Sequence, residues 1–440
     1  MSDLDTILKR WASKEGIQFK DENAERAYEE RAERLATAMK LDIPDRIPFA
    51  PDAGLFPLTY AGITLKEAMH NYEKICLALK KAVLDFEWDA VPRMPVWPAR
   101  ALEAIGYKAL RLPGNGLDDD APTYQFVEPG QKIDGEILYE PMKPEEYSWF
   151  LEDPADFTIR GYLPSICEAL KPFKDLPQIP GITCYYHGFF ETLSVPGIDK
   201  AFEALAKAAR EVMEWRRVMR DCLLEIKSMG FPEFFSALTH APFDYFGDFR
   251  RGTRGILTDI YRYPEEVKAV CDRIASVMAE WGIRFAKLTG NPIVVFRLHK
   301  GIFLRPEQFE EFYWKSLKDV FMTLIKNDVI PYAYTEGNYV PYLEFLKEMP
   351  KGRVIYHIEQ GIFEAKEVLG DRFCLTGGIP ASLLYTASPQ KVEKYTKEAI
   401  EVLGEGGGFI LDSDVPLDVV KPENMKAVKD AVLKYGYYRK

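Results

Sequence analysis

In the second half of the chain, short apolar runs alternate with longer amphipathic stretches. The apolar runs are Pro232–Leu238, Pro292–Leu298, Val329–Tyr334, Val354–Tyr356, Phe373–Leu375 and Gly408–Leu411. Three of the amphipathic stretches begin at a proline, Pro306, Pro389 and Pro422. Proline suits the first turn of a helix because its missing N–H would be unpaired there in any case. Alternation of this kind predicts a parallel sheet covered by helices.

The first half supplies two more strands and an N-terminal arm. Apolar runs at 46–51 and 89–94 predict strands, and Thr64 with Glu67 forms a capping box that opens a helix between them. With the six later runs these make eight, so we predict an α/β fold, a single (β/α)8 TIM barrel over residues 46–440. Residues 1–45 are charged and helical in pattern, and we expect a helical arm packed on the outside.

The strand–helix rhythm breaks between about 105 and 160. Turn signals such as Gly114-Asn115-Gly116 and Pro129-Gly130 separate short alternating runs there. We therefore predict an inserted β-hairpin element within the barrel domain. Residues 161–200 are rich in proline and glycine, and a long helix is predicted over 199–228.

The charge and composition of the chain argue against several classes of binding partner. The chain has 440 residues and a formal net charge of −11, which argues against a nucleic acid partner because phosphate binding needs a basic face. No run approaches the roughly 18 to 20 apolar residues of a membrane span, and the first residues lack a signal-peptide pattern. The six cysteines are scattered without a CxxC pair. We therefore expect a reducing, cytoplasmic setting and neither a disulfide framework nor a cysteine-rich zinc cluster.

Catalytic groups of such barrels lie where the strands end, and two neighbouring predicted strands end near Glu336 and His357. Adjacent parallel strands lie about 4.8 Å apart, so the two side chains could converge on one ion. A carboxylate with an imidazole suits zinc with an open coordination position. The alternative is that they bond to each other and fix the loops. Asp412 and Asp414, after the last strand, could complete the metal site, and Asp414 is the candidate ligand of the two. Capping or turn formation before Pro416 is the alternative.

Further polar residues follow the predicted strands and form the expected substrate contacts. His299 could be a metal ligand, a general base, a substrate contact or a loop histidine bonded to backbone. In the segment 243–255, an arginine could clamp a substrate carboxylate, or the arginines and aspartates could form a network that fixes the loop. The residues expected at the substrate are Tyr334, His299, His240, Asp244, Arg250 and Arg251.

Residues from about 240 to 437 resemble the uroporphyrinogen decarboxylase superfamily. The segments that carry the resemblance are Pro242-Phe243-Asp244, Arg251-Gly252-Thr253, Phe303–Phe309, Glu336-Gly337-Asn338, Lys366–Gly370, Gly377–Pro380, Gly406–Leu411 and Lys421–Asn424. The resemblance implies the barrel fold. One branch of the superfamily decarboxylates a tetrapyrrole, and another transfers methyl groups to or from a corrinoid.

The chain departs from the motifs of two branches of the superfamily, and these departures indicate which branch it resembles more. True decarboxylases hold the substrate carboxylates with an arginine-rich segment near the N-terminus, and the matching region, Phe49–Tyr60, contains no arginine. Methyltransferases that act on coenzyme M use an HxCG motif and a later cysteine as zinc ligands. Here that motif is Tyr334-Thr335-Glu336-Gly337, and no cysteine occurs near Asp414. This argues against a thiol as the methyl acceptor.

The sequence is more similar to the methyltransferase component of aromatic O-demethylases, of the vanillate and veratrol type. For these a Glu-x14-Glu-x20-His zinc pattern is known, whose last two positions match Glu336 and His357. The first position is Phe321, so the third ligand is left open. The resemblance implies a catalytic Glu336 and His357 holding zinc, a phenolic group oriented by Tyr334 or His299, and a ring carboxylate held by Arg250 or Arg251.

The resemblance also implies the reaction and its partners. The enzyme would demethylate a methoxylated aromatic compound and pass the methyl group to the cob(I)alamin of a separate corrinoid protein, since this chain lacks an Asp-x-His-x-x-Gly segment of its own. A decarboxylase-like lyase, a metal-dependent hydrolase on the same barrel and a non-catalytic binding protein are the alternatives. A homodimer is compatible with the sequence.

Overall fold

The computed structural model describes residues 2–178, 188–191 and 194–438. Its centre is a six-stranded parallel sheet in the order β11-β10-β9-β8-β7-β6, and short strands β1 to β5 lie in the inserted region. The strands are β1 Leu110–Pro113, β2 Gly116–Leu117, β3 Gln125–Phe126, β4 Lys132–Ile133, β5 Glu136–Ile137, β6 Ala237–His240, β7 Ile293–Leu298, β8 Ile330–Asn338, β9 Ile355–Gln360, β10 Cys374–Ile379 and β11 Phe409–Ser413.

Two single bridges continue this sheet on either side. Phe49 pairs with Leu411 of β11, and Val91 pairs with Glu233, just before β6. The N–H of Asp89 donates to the carbonyl of Phe49 at 2.7 Å, which joins the two bridging segments to each other. The predicted first and second strands therefore take their expected places but are reduced to short bridging segments. The mixed α/β architecture with a parallel TIM-barrel sheet is confirmed.

The later strands extend past their predicted carboxyl ends. Strand β8 continues through Glu336, and β9 begins at Ile355 and continues past His357. Pairing between Tyr334 and His357 maintains the ladder there. Polar side chains ended the apolar runs in the sequence, but the backbone hydrogen bonds of a parallel ladder do not depend on side-chain polarity.

Helices cover the outer face of the sheet and both flanking regions. They are α1 Leu4–Trp11, α2 Glu22–Met39, α3 Phe56–Ala61, α4 Leu65–His70, α5 Glu73–Phe86, α6 Ala99–Ile105, α7 Tyr147–Glu152, α8 Pro154–Asp156, α9 Leu163–Ile166, α10 Gly188–Glu191, α11 Ile198–Ser228, α12 Pro242–Phe246, α13 Gly252–Arg262, α14 Pro264–Thr289, α15 Pro306–Gln308, α16 Lys315–Lys326, α17 Leu343–Leu346, α18 Ile362–Leu369, α19 Ala381–Thr386, α20 Pro389–Leu403 and α21 Pro422–Tyr435. None of those in the described residues is both long and apolar enough to cross a membrane.

Most helix predictions are confirmed. The capping box of Thr64 and Glu67 is present, and α11 matches the predicted helix 199–228. The stretch after Thr64 departs from the prediction, because it forms two helices, α4 and α5, separated at Asn71 and Tyr72.

The N-terminal arm lies beneath the barrel and not, as predicted, against its outside. Apolar residues of α1 and α2 share one core cluster with alternate strand residues such as Val295 and Ile355. The indole Nε1 of Trp11 donates to the carbonyls of Glu233 and Phe234, each at 3.2 Å. Apart from the buried Arg34, the charged side chains of α1 and α2 are exposed or half-buried, and the apolar face of the arm closes the end of the barrel at which the strands begin.

The inserted region contains the expected hairpin, formed by the antiparallel pair β4 and β5. It contacts the barrel through Glu128, whose carboxylate accepts a hydrogen bond from the hydroxyl of Thr253 at 2.6 Å. Gly252 allows this approach, because a Cβ there would lie 2.3 Å from the carbonyl oxygen of Pro129. The insertion is thereby held at the first residues of α13.

The sequence predicted no disulfide framework, and one disulfide bond is present among the described residues. Cys76 of α5 and Cys222 of α11 form a disulfide bond. They are 146 residues apart in sequence, so only the packing of the two helices brings them together. Among the described residues, Cys167, Cys271 and Cys374 are free and buried.

A buried carboxylate joins the arm to the closure of the barrel. Asp89 is fully buried, and it accepts hydrogen bonds from Arg34 of α2 at 2.7 Å, from Arg46 at 2.8 and 2.9 Å, and from the N–H of Phe49 at 2.7 Å. Burying charges is favourable only where partners satisfy them. One side chain therefore connects the arm and both bridging segments.

We predict that Asp89→Asn lowers the free energy of unfolding by about 3–5 kcal/mol, because it leaves two buried arginines without their shared counter-charge. Urea unfolding followed by circular dichroism measures this. The matched control is Asp371→Asn, an exposed aspartate, for which we expect a change within about 0.5 kcal/mol. Equal stability of the two variants would contradict the prediction.

Candidate active site at the mouth of the barrel

His299 lies at the centre of a polar cluster at the carboxyl ends of the strands. It directly follows β7, and its Nδ1 lies 2.7 Å from Oδ2 of Asp248. Its Nε2 lies 3.3 Å from Oε1 of Glu336, which projects from β8. The imidazole is thus held between two carboxylates from different elements, one at each ring nitrogen.

Asp244 fixes the loop that carries His299. Its buried carboxylate accepts hydrogen bonds from the N–H groups of His299 and Lys300, at 2.9 and 2.8 Å. The hydroxyl of Tyr313 donates to it at 2.6 Å. Burial raises the pKa of Asp244 to about 6. This predicted substrate contact therefore binds backbone and a buried tyrosine, and it holds α12 against the end of β7.

Lys300 connects the inserted region to the same cluster. Its Nζ lies 2.9 Å from Oδ1 of Asp248 and 2.9 Å from Oε1 of Glu128. Asp248 therefore faces Lys300 with one carboxylate oxygen and His299 with the other. The π-type turn Gly247–Arg251 that follows α12 places Asp248 at this point.

His240 ends β6 and completes the cluster. Its ring lies edge-on to His299, with centroids 5.3 Å apart, and edge-on to Phe249, at 5.0 Å. His240, Asp248 and His299 each offer one ligand atom, and these atoms all lie within 4.8 Å of one another. Two predicted site residues, His240 and His299, are therefore brought together with an aspartate that the sequence analysis had not selected.

The two histidines have opposite protonation states in the metal-free protein. Burial alone would lower the pKa of His299, but the hydrogen bonds to Asp248 and Glu336 outweigh it and raise the pKa to about 10. For Asp248, the hydrogen bond to His299 and the charge on His299 outweigh burial and lower the pKa to about 2. For His240, burial and then the charge on His299 lower the pKa to about 4. At neutral pH, His299 is a cation beside a neutral His240.

Arg297 extends this row of charges toward the barrel axis. It projects from β7 and forms ion pairs with Asp52 at 2.7 Å and with Glu336 at 3.2 Å. Its guanidinium lies over the ring of Tyr334, 3.7 Å from the centroid. Glu336 therefore accepts from two cations, Arg297 and His299, and Tyr334 lies beneath them.

His357 lies deeper, inside the barrel. Its ring stacks on Tyr334, with centroids 3.6 Å apart. Its Nδ1 lies 3.0 Å from the Thr376 hydroxyl and 3.3 Å from Oδ2 of Asp412, and its Nε2 lies 2.9 Å from the carbonyl oxygen of Asp414. Both ring nitrogens are therefore occupied by partners below the mouth.

Strand register separates Glu336 from His357. The residue paired with His357 is Tyr334, so Glu336 lies two residues further along its strand, roughly 6.6 Å at 3.3 Å per residue. Within the described part of the chain, no hydrogen bond or ion pair joins the two side chains. The carboxylate of Asp414 accepts from the N–H of Ala381 at 2.8 Å. The expected set of Glu336, His357 and Asp414 thus does not converge in this arrangement.

Phe321 and the two arginines also have defined places. Phe321 is buried on α16 and packs edge-on to Phe296, on the helix-facing side of β7, so a glutamate there would not face the mouth. Arg251 forms an ion pair with Asp259 at 2.6 Å, which is the network alternative considered for it. Arg250 is buried with its guanidinium 3.6 Å from the ring centroid of Tyr162.

Several site residues were missed by the sequence analysis. They are Asp52, Glu128, Asp248, Arg297 and Lys300. Arg297 had a usable signal, because it is the only charged position in the run Pro292–Leu298. Glu128 had none, since its place depends on how the inserted region folds back.

We predict that the stabilising effect of His299 depends on pH in the metal-free protein. Its pKa is raised from 6.5 to about 10 on folding, so protonated His299 contributes fully below about 6.5, and the contribution is lost as the pH rises through 10. The loss of unfolding free energy in His299→Gln should therefore be larger at pH 6 than at pH 10, measured by urea unfolding with a chelator. His70→Gln, which removes a surface imidazole, is the control. A loss that does not vary with pH would contradict the assignment.

Comparisons with known proteins agree with this architecture. Residues 234–435 match the family model described as uroporphyrinogen decarboxylase (URO-D). The uroporphyrinogen decarboxylase of Aliivibrio salmonicida is 26% identical over 223 residues, 49% of this chain and 61% of that protein, and that of Pseudoalteromonas atlantica is 27% identical over 178 residues, 39% and 49%. The chain thus spans about three fifths or less of the length of these curated relatives.

A similar solved structure is that of a methyltransferase from Methanosarcina mazei. It is 16% identical, with a TM-score of 0.57, and the alignment covers 93% of this chain and 98% of that one. At this identity the likeness shows a shared fold over almost the whole chain. The second half of the chain is thus similar to uroporphyrinogen decarboxylases, and almost the whole chain shares its fold with a methyltransferase of known structure.

Proposed function

We propose that the protein is a methyltransferase that demethylates an aryl methyl ether and passes the methyl group to the cob(I)alamin of a separate corrinoid protein. The superfamily match and the fold shared with a methyltransferase support an enzyme of this general kind. The observation that carries the proposal is the pair of fixed cationic groups at the mouth, His299 and Arg297, on either side of Glu336.

Positive charge is what this reaction needs at the mouth. Removing the methyl group from an aryl ether leaves a phenolate, and negative charge develops on the ether oxygen. Preorganised positive groups stabilise such charge strongly in a partly buried site, because they need no reorganisation during the reaction. A zinc ion bound in the cluster would supply the same stabilisation as a Lewis acid. Glu336 and Asp248 hold the cationic groups in position.

The aromatic substrate would bind above Arg297. Beneath this residue is a cavity of about 30 Å³, lined by Asp52, Tyr334 and Asp412 among others. It has room for little more than one water molecule, and an aromatic ring does not fit. Above it, Phe249 and His240 present ring faces and edges to the cluster. These suit stacking against a methoxylated ring.

Tetrapyrrole decarboxylation is the second candidate, favoured by the curated relatives. That substrate carries several carboxylates that need cationic partners, and the segment after the first bridging strand contains none. Arg251 follows Asp248 by three residues, but its guanidinium already forms an ion pair with Asp259. The charge distribution therefore suits one developing negative charge better than a polycarboxylate.

We expect the purified protein to methylate free cob(I)alamin from at least one member of a panel of methoxylated aromatics, followed by the change in corrinoid absorbance. Glu336→Gln should lower kcat/KM by about 100-fold or more, since it removes the carboxylate that Arg297 and His299 share and so displaces the two cations from the positions in which they stabilise the transition state. Glu398→Gln, on the outer surface of α20, is the matched control and should retain full activity.

The same assay separates the alternatives. Release of carbon dioxide from uroporphyrinogen without methylation of cob(I)alamin would replace the proposal by the decarboxylase. Methyl transfer at the wild-type rate by Glu336→Gln would refute the role of the cluster. Methyl transfer at the wild-type rate by His357→Gln would refute the expectation, made from the sequence, that His357 is catalytic.

A further inference from the structure

We infer that His240, Asp248 and His299 form a divalent-metal site at the mouth, for which zinc is the fitting ion. The inference serves the proposed methyl transfer and in that sense rests on it, but metal binding is measured without turnover. It moves the metal from the β8–β9 pair, Glu336 and His357, to residues at the ends of β6 and β7 and in the turn after α12.

The three donors already converge. One ligand atom from each lies within 4.8 Å of the others, and tetrahedral zinc with bonds of about 2.0–2.1 Å needs donors separated by roughly 3.3–3.5 Å. Small side-chain rotations close that difference. The hydrogen bond of 2.7 Å between His299 Nδ1 and Asp248 Oδ2 marks where an ion would replace a proton.

The surrounding groups already orient these donors. Metal-bound histidines usually donate their second ring N–H to a carboxylate or carbonyl, which fixes the tautomer. Here Glu336 occupies that place, 3.3 Å from Nε2 of His299. Lys300 engages the other oxygen of Asp248 at 2.9 Å, which leaves Oδ2 facing the cluster. The buried Asp244 holds the backbone of both His299 and Lys300.

The chemistry of the three donors, two imidazoles and one carboxylate, favours zinc. Two imidazoles and one carboxylate suit zinc and its cobalt(II) substitute, whereas magnesium and calcium prefer oxygen donors. Three protein ligands leave a fourth position open, as in catalytic zinc sites. Phe249, whose ring lies 5.0 Å from that of His240, is an aromatic neighbour of this donor set.

The residues that the family pattern favours are engaged elsewhere. His357 has partners at both ring nitrogens, Thr376 and Asp412 at one and the Asp414 carbonyl at the other. Glu336 is the one residue shared by both arrangements. In the site inferred here it orients His299 and does not bind the ion.

Zinc titration of the chelator-treated protein tests the inference. We expect about one ion per chain by calorimetry, and a cobalt(II) spectrum of the tetrahedral type. His240→Asn and Asp248→Asn should each weaken zinc binding by more than about 100-fold, and Glu336→Gln by about 10–100-fold, as for other residues that orient metal ligands. His357→Gln and the surface control His70→Gln should bind zinc as the wild type does. Circular dichroism confirms that each variant is folded.

Two results would overturn the inference. One is wild-type zinc affinity in folded His240→Asn and Asp248→Asn with loss of binding in His357→Gln, which would return the ion to β8 and β9. The other is absence of zinc and cobalt binding in the wild-type protein. Zinc binding as expected without methylation of cob(I)alamin would leave the metal site standing and remove the proposed function. Methylation of cob(I)alamin by a protein that binds no zinc would remove the metal site and leave the proposed function standing.

Discussion

The barrel depends on one buried carboxylate. Asp89 is where α2 of the arm, the first bridging segment and the second meet, through Arg34, Arg46 and the backbone of Phe49. The first two strands are too short to be held by a ladder of their own. Strands β6 to β11 are held to their neighbours by backbone hydrogen bonds. At the two bridging segments, buried ion pairs to Asp89 hold the barrel together instead.

The mouth repeats this arrangement with opposite signs. There, the cations Arg297, His299 and Lys300 lie among carboxylates that come from separate elements: Asp52, Glu128, Asp248 and Glu336. The loops that carry these residues are held by buried groups outside the cluster. Asp244, for example, accepts a hydrogen bond from the backbone N–H of His299. The scaffold thus supplies rigidity from buried neutral or paired groups and leaves the exposed end of the cluster available for a ligand.

Much of the fold, but less of the site, could be predicted from the sequence. The six later strands were found because strands buried on both faces are apolar runs. Their ends were drawn too early, since Glu336 and His357 continue the ladder. His240 and His299 lie at adjacent strand ends, but the sequence analysis did not pair them. It paired Glu336 with His357, whose separation is set by the register of β8 against β9. Asp248 and Glu128 come from a turn and an insertion, whose paths hydrophobic periodicity does not encode.

The ion pair between Glu128 and Lys300 makes the rim of the barrel asymmetric. On one side the rim is continuous strand and loop, and on the other it is an inserted segment attached by Glu128, whose side chain is 43% exposed. Charge pairs at such exposure weaken as ionic strength rises. If the proposed corrinoid protein docks at this rim, its entry would therefore respond to salt, while the floor of the barrel, sealed by the arm, would not.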